Sequence, residues 1–214
     1  MNFHGFVQAG GASTRFGVDK ALVKLAGETM LERTGALLQS VCPHVSIVAP
    51  PGRYKNSRWP VLIDRWPGEG PLGGILTALH SIDPSADSGQ SKDKEDSPCP
   101  FALILSCDMP FLTPEFLRFL LDRAQHSEAQ VIVPTCSERL EPLCACWCAA
   151  ALPTVQAAFD AGIRKVTEAM KQVSMEVLDE SAWKRFDSHG RLFQNMNTPE
   201  DYEAARRIVE IESR

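Results

Sequence analysis

Residues 5–27 read "GFVQAGGASTRFGVDKALVKLAG". A short apolar run stops at Ala9, Gly10 and Gly11 and opens into a loop that ends at Lys20. Gly10, Gly11, Ser13, Arg15, Gly17 and Lys20 fall within eleven consecutive positions. A strand that runs into a glycine loop presents backbone N–H groups at the mouth of a sheet, where phosphates are received, and glycine permits the close approach. Arg15 adds a planar fork and Lys20 a point charge, a pair able to hold a triphosphate and to offset charge on a departing pyrophosphate. Two familiar phosphate loops are excluded. Five residues separate Gly11 from Gly17, and Val18 follows instead of Lys-Ser/Thr, so this is not a Walker A loop. Gly10 and Gly11 are adjacent, and "VAPP" at Val48–Pro51 stands where a dinucleotide fold ends its second strand in an acidic residue. A Gly-Gly pair after a strand also suits a plain tight turn, so the rest of the chain must decide.

Strand-like runs "HGFVQA", "HVSIVA", "PVLID", "FALILSC", "AQVIVPT" and "PLCACW" mostly alternate with segments of helical period, the pattern of parallel α/β winding. Met30, Leu31, Thr34, Leu37, Leu38 and Val41 share one helical face; Leu72, Ile75, Leu76 and Leu79 share a second. Thr113-Pro114 and Thr198-Pro199 each read as a cap followed by proline in the first helical turn. The 214 residues, 44% hydrophobic and 23% charged, suffice for a compact core. The expected fold class is α/β: one domain over 1–214, three-layer αβα, with a mostly parallel, Rossmann-like sheet.

Two strand ends sharpen the functional reading. "VLID" ends in Asp64 and "LILSCD" in Asp108, both where the chain leaves the sheet and where open α/β sheets bind ligands. Asp108 is a natural Mg²⁺ ligand there, because hard oxygen suits the ion and nucleotide phosphates complete its shell. Helix capping is the competing role for Asp108, and Thr113 already fills it.

A net charge of −5 argues against a nucleic-acid partner. The uncharged run Pro142–Phe159 contains two prolines and reads as strand, turn and helix instead of a membrane span. A secretory leader is not apparent at the start, so a cytoplasmic location is expected, and the seven cysteines are expected as reduced thiols. Cys144, Cys146 and Cys148 alternate along one strand face and are expected to pack in the core in preference to binding metal. "DPSADSGQSKDKEDSPCP", residues 83–100, is polar and nearly free of apolar side chains, and reads as a surface insertion.

Taken in order, "AGGASTRFGVDKALVKLAGETMLER", "DRWPGEGPLGGILTAL", "SCDMPFL", "AGIRKV" and "FQNMNTPEDY" resemble the molybdenum cofactor guanylyltransferases, with matching order and spacing across nearly the whole chain. The opening loop also occurs in other nucleotide-sugar and cytidylyl transferases of the nucleotide-diphospho-sugar transferase fold. The later elements point to this branch. The resemblance implies transfer of GMP from GTP to molybdenum-molybdopterin with Mg²⁺, giving the guanine dinucleotide cofactor and pyrophosphate. It also implies acceptor apo-molybdoenzymes and a helper GTP-binding protein as partners. Carried over by position, Arg15, Lys20 and Asp108 are catalytic. Gln8, Ala9, Gly10, Gly11, Ser13, Arg15, Lys20, Asp64, Gly70 and Asp108 bind the nucleotide, and Asp108 also holds the metal. Gly74 shapes the central turn with Gly70, and Arg164, Asn195 and Asn197 face the pterin. Gln8 stands where the family often has Leu, and Val48-Ala49-Pro50 replaces an Asn-Ala-Asn-like segment. Three alternatives share parts of this pattern: a cytidylyltransferase for the same cofactor, a sugar-phosphate nucleotidyltransferase, and a non-catalytic nucleotide-binding protein.

Overall fold

The computed structural model describes residues 3–10, 19–83 and 99–212. In chain order the elements are β1 (Phe3–Gln8), the short hairpin β2 (Lys24–Leu25) and β3 (Glu28–Thr29), α1 (Met30–Gln39), β4 (His44–Ala49), β5 (Val61–Ile63) and α2 (Pro71–Ile82). They continue with β6 (Phe101–Ser106), α3 (Pro114–His126), β7 (Val131–Cys136), β8 (Arg139–Leu140), β9 (Cys144–Cys148), α4 (Leu152–Asp160) and α5 (Val166–Met170). β10 (Met175–Leu178), α6 (Glu180–Trp183) and α7 (Pro199–Glu212) complete the series.

The main sheet runs β10-β7-β9-β6-β1-β4-β5, with β8 paired to β7. β1 lies parallel to both β4 and β6, with Gln8 opposite Val48 on one side and Ser106 on the other. β9 is antiparallel to β6 and to β7, and the short β8 is antiparallel to β7, so the expected parallel winding holds except at these two strands. The reversal follows from chain length: the short stretch between the end of β7 at Cys136 and the start of β9 at Cys144, which holds only β8, has no room for the crossover helix that a parallel return requires.

Helices cover both faces, giving the three layers expected. α1, α3 and α7 bury Leu38, Phe116, Leu120 and Ala205 against one face. α2, α4 and α5 bury Leu72, Ile75, Leu76, Val155 and Met170 against the other. Each face reads from the sequence as helical period. In α2 the residues Leu72, Ile75, Leu76 and Leu79 are all fully buried. Local signals set the helix starts. Thr29 and Glu32 form a reciprocal capping box on α1. The Thr113 hydroxyl accepts from the Phe116 amide at α3, and the Asp201 amide donates to the Thr198 hydroxyl at α7.

Cys144, Cys146 and Cys148 are buried on one face of β9, as expected for core packing. The expectation of seven reduced thiols is corrected: Cys99 and Cys148 form a disulfide. Cys99 lies two residues before Phe101, the first residue of β6, which pairs with Cys148, so the antiparallel register brings the two sulfurs together. No helix among the described residues is long and apolar enough to cross a membrane.

Candidate active site

The carboxyl ends of β1, β4, β5 and β6 converge on a cleft of about 430 Å³, a size suited to a nucleotide-sized ligand. Gln8 and Gly10 come from the end of β1, Val48 from β4, and Ser106 and Asp108 from β6. Leu143 closes one side, tied to β6 by the Ser106 amide, which donates to the Leu143 carbonyl at 2.8 Å.

The start of α2 forms another wall. Gly70 sits at φ 84°, ψ −175°, a conformation that a side chain would strain, and it turns the chain so that Pro71 begins the helix at the cleft. The positive end of the helix dipole therefore faces the space where an anionic ligand would lie. Gln8 Nε2 donates to the Pro71 carbonyl at 2.7 Å, joining β1 to this turn. Gly74 makes room for that bond: a Cβ there would stand 2.5 Å from Gln8 Nε2. Gln8 Oε1 is buried with no partner among the described residues.

Asp64 leaves β5 in a turn of its own. Its Oδ1 accepts from the Trp66 amide at 2.9 Å and lies 3.2 Å from the Thr77 hydroxyl, while the Arg65 amide donates to that hydroxyl at 3.0 Å. The carboxylate is thus fixed at the cleft wall. Asp108, half-buried, lines the same cleft, and its carbonyl accepts from the Met196 amide at 2.8 Å. This bond docks the segment that carries Asn195 and Asn197 onto the end of β6. Glu141 lies close enough that burial, and secondarily the Asp108 carboxylate, push its carboxyl up to about 7.

Lys20 begins a 3-10 turn, and its ammonium donates to Asn197 Oδ1 at 2.9 Å. Asn197 is held in turn: Asp201 Oδ2 accepts from the Asn197 and Thr198 amides, both at 2.9 Å. Arg164 lies elsewhere. Its guanidinium stacks 3.9 Å from the Phe159 ring centroid, pairs with Glu69, and donates to the Phe159 carbonyl. The three residues assigned to the pterin by resemblance therefore divide: Asn197 meets Lys20, with Asn195 two residues away, while Arg164 braces the loop that ends at Gly70. Ala9 is buried, its amide donating to the Val48 carbonyl. Gly11, Ser13, Arg15 and Gly17 lie outside the described residues, as does most of the 83–100 insertion.

Sequence reading missed Ser106, Leu143 and Glu141. Ser106 had a signal, since it lies two residues before Asp108 at the end of the same strand. Leu143 and Glu141 arrive only through the antiparallel entry of β9, which no local pattern announces.

Among the described residues, no three His, Cys, Asp or Glu side chains cluster to cage a metal. Asp64 and Asp108, the carboxylates on this cleft, offer hard oxygens of the kind that would suit Mg²⁺, which keeps several waters and takes phosphate oxygens from a substrate.

The fold is that of an α/β protein whose mostly parallel sheet carries Asp64 and Asp108 on a cleft at its carboxyl edge. The model of the MobA-like NTP transferase domain matches residues 5–173. A protein named Probable molybdenum cofactor guanylyltransferase from Chloroflexus aggregans is 30% identical over 212 residues, covering 94% of this chain and 92% of that one. One of the same name from Natronomonas pharaonis is 30% identical over 215 residues, covering 94% and 96%. Among solved structures, molybdopterin-guanine dinucleotide biosynthesis protein A from Archaeoglobus fulgidus superposes with a TM-score of 0.79 at 23% identity, covering 97% of this chain and 99% of that one. A 2-C-methyl-D-erythritol 4-phosphate cytidylyltransferase from Thermus thermophilus shares the fold, with a TM-score of 0.65 at 15% identity, covering 96% and 98%. The chain belongs to the MobA-like NTP transferase family.

Proposed function

We propose that this protein transfers GMP from GTP to the terminal phosphate of molybdenum-molybdopterin, releasing pyrophosphate and forming the guanine dinucleotide cofactor. The observation that carries the reading is the convergence of Asp64, Asp108 and the start of α2 on one cleft, in a chain whose relatives bear the guanylyltransferase name over nearly their full length.

The cleft holds the nucleoside, with Gln8 and Asp64 on its walls and the amino end of α2 toward the phosphates. Lys20, from the 3-10 turn, and Arg15 take the β- and γ-phosphates and neutralise charge as pyrophosphate departs. Asp108 is the residue that would hold Mg²⁺, whose bound charge would polarise the α-phosphate. The pterin phosphate attacks the α-phosphorus in line. It needs no general base, because its second pKa of about 6 leaves it ionised near neutral pH. The chain's own contribution is positioning and charge complementarity. Asn197 and Asn195 lie on the Lys20 side of Asp108, where the second substrate must approach. Arg164 keeps the Gly70 turn in place through Glu69. Acceptor apo-molybdoenzymes and a helper GTP-binding protein would act after and beside this step.

The test is to follow pyrophosphate release from each common NTP with Mg²⁺ and molybdenum-loaded pterin. Release with GTP supports the reading. Release with CTP alone makes the protein a cytidylyltransferase, and NTP binding without release makes it a non-catalytic binder.

A further inference from the structure

Asp19 serves three partners from one side chain. Its Oδ1 accepts from the Ala21 amide at 3.1 Å and so caps the 3-10 turn that begins at Lys20. Its Oδ2 accepts from Arg53 Nη1 and from the Tyr54 hydroxyl, each at 2.8 Å. Both donors come from the loop that leaves β4, thirty-odd positions along the chain. Tyr54 adopts φ 53°, a left-handed backbone that disfavours L-residues, and this turn accompanies the return of its ring to Asp19. The Asp19 side chain is only 23% exposed, so its charge is partly withdrawn from water and held by defined donors.

This arrangement answers an electrostatic problem at the site. A carboxylate next in sequence to a phosphate-binding lysine would oppose the anion that the lysine must receive. Arg53 offsets that charge from the far side, while Oδ1 orients the turn. Burial first, then the Asp19 carboxylate, push the Tyr54 phenol above its ordinary range, so it stays a donor at neutral pH. Lys20 meets Asn197, next to Met196, whose amide is docked on the Asp108 carbonyl, so the clamp lies beside the candidate site.

We propose that Asp19, clamped by Arg53 and Tyr54, is a positioning residue that fixes the Lys20 turn so that the Lys20 ammonium is presented to the triphosphate. The inference rests on the nucleotidyl-transfer reading for its kinetic consequence and on the hydrogen bonds alone for its structural one. The loop after β4 thereby acts on the phosphates through Asp19, without touching the substrate.

The experiment pairs kinetics with a signal that needs no turnover. Asp19→Asn keeps the size and the Oδ1 acceptor but removes the charge; Tyr54→Phe and Arg53→Gln each remove one donor. With whichever NTP the wild type uses best, Asp19→Asn should lower kcat about tenfold, and the two donor variants a few-fold each, the scale of a displaced catalytic group. Pterin KM and the Mg²⁺ concentration for half-maximal rate should stay near wild type. In a Lys20→Ala background the same three substitutions should do almost nothing further. Independently, the ¹⁵N side-chain resonance of Lys20, assigned by its loss in Lys20→Ala, should move toward the free-lysine position in Asp19→Asn. Multiplicative losses in the Lys20→Ala background, or an unmoved Lys20 resonance, would overturn the proposal; a raised Mg²⁺ requirement would make Asp19 a metal contact instead. If the wild type transfers no nucleotide at all, the functional reading fails, and the resonance still decides the positioning claim.

Discussion

The Lys20 ammonium and the Asn197 amide oxygen, 177 positions apart, meet at 2.9 Å. The contact joins the 3-10 turn at Lys20 to the carboxyl-terminal Asn-x-Asn segment, which is itself docked on the Asp108 carbonyl through the Met196 amide. Lys20, the Asn-x-Asn segment and the end of β6 are thus physically coupled.

This coupling makes a kinetic prediction. Lys20→Ala should lower turnover by about 100-fold and weaken GTP binding, because it removes a charge-assisted contact that strengthens in the transition state. Asn197→Ala should cost less, about tenfold at most, since it removes a neutral hydrogen bond. The double variant should resemble Lys20→Ala alone. Full additivity in kcat/KM would show that the Lys20–Asn197 hydrogen bond couples nothing in the reaction.

Gly74 sets the floor of the cleft. In Gly74→Ala the new methyl would stand 2.5 Å from Gln8 Nε2, so Gln8 must swing away from the Pro71 carbonyl and into the nucleotide space. NTP affinity is expected to fall several-fold with little change in Tm. Combining it with Gln8→Ala should restore part of that affinity. Calorimetric titration of both variants checks the pair, and a Gly74→Ala protein that binds like wild type would refute the arrangement.

Gly35 tests the packing of α1. A Cβ there would enter the Trp59 ring, whose Nε1 donates to Gln39 Oε1 on the same helix. Overpacking of this kind costs about 1–3 kcal/mol, so Gly35→Ala should lower Tm by several degrees. Trp59→Leu in the same chain should recover some of the loss. Thermal melts of the single and double variants supply the comparison.

His4 predicts a pH dependence of stability. Its ring stacks on Phe6 at 4.3 Å and bonds to the Ser46 hydroxyl at 3.0 Å; burial, then neighbouring His44, lower its pKa from 6.5 to about 4. The fold favours the neutral ring. Its contribution is therefore complete above pH 6.5 and is lost as pH falls through that value toward 4. Tm measured across this window should drop more steeply for wild type than for His4→Gln. Parallel curves would remove His4 as the cause.

Much of this architecture is legible in the sequence because its signals are local. The α1 and α2 faces follow from apolar period, the starts of α3 and α7 from Thr-Pro, and the placing of Asp64 and Asp108 from strands that end in carboxylates. Long-range pairings were not legible. The reversal of β9, the Cys99–Cys148 disulfide and the Lys20–Asn197 contact depend on which distant segments the sheet order brings together. β10 and α6 were missed for a different reason: they are short and carry too few apolar positions to show a period.

Asp108 is the residue on which the proposed chemistry most depends. Asp108→Asn should fold like the wild type, because the side chain is half-buried at the sheet edge and outside both cores, and should lose at least about 100-fold in turnover. Added Mg²⁺ should not restore it. Near wild-type turnover in the variant would remove Asp108 as the metal ligand.

The most direct test follows the fate of one phosphorus atom. The protein is incubated with Mg²⁺, molybdenum-loaded pterin and GTP labelled at either the α- or the γ-phosphate, and the products are separated. The account predicts α-label in a guanine dinucleotide of the pterin, γ-label in pyrophosphate, and neither product without the pterin. γ-Label on the pterin, or α-label that stays in GTP or appears only as free GMP, would contradict it.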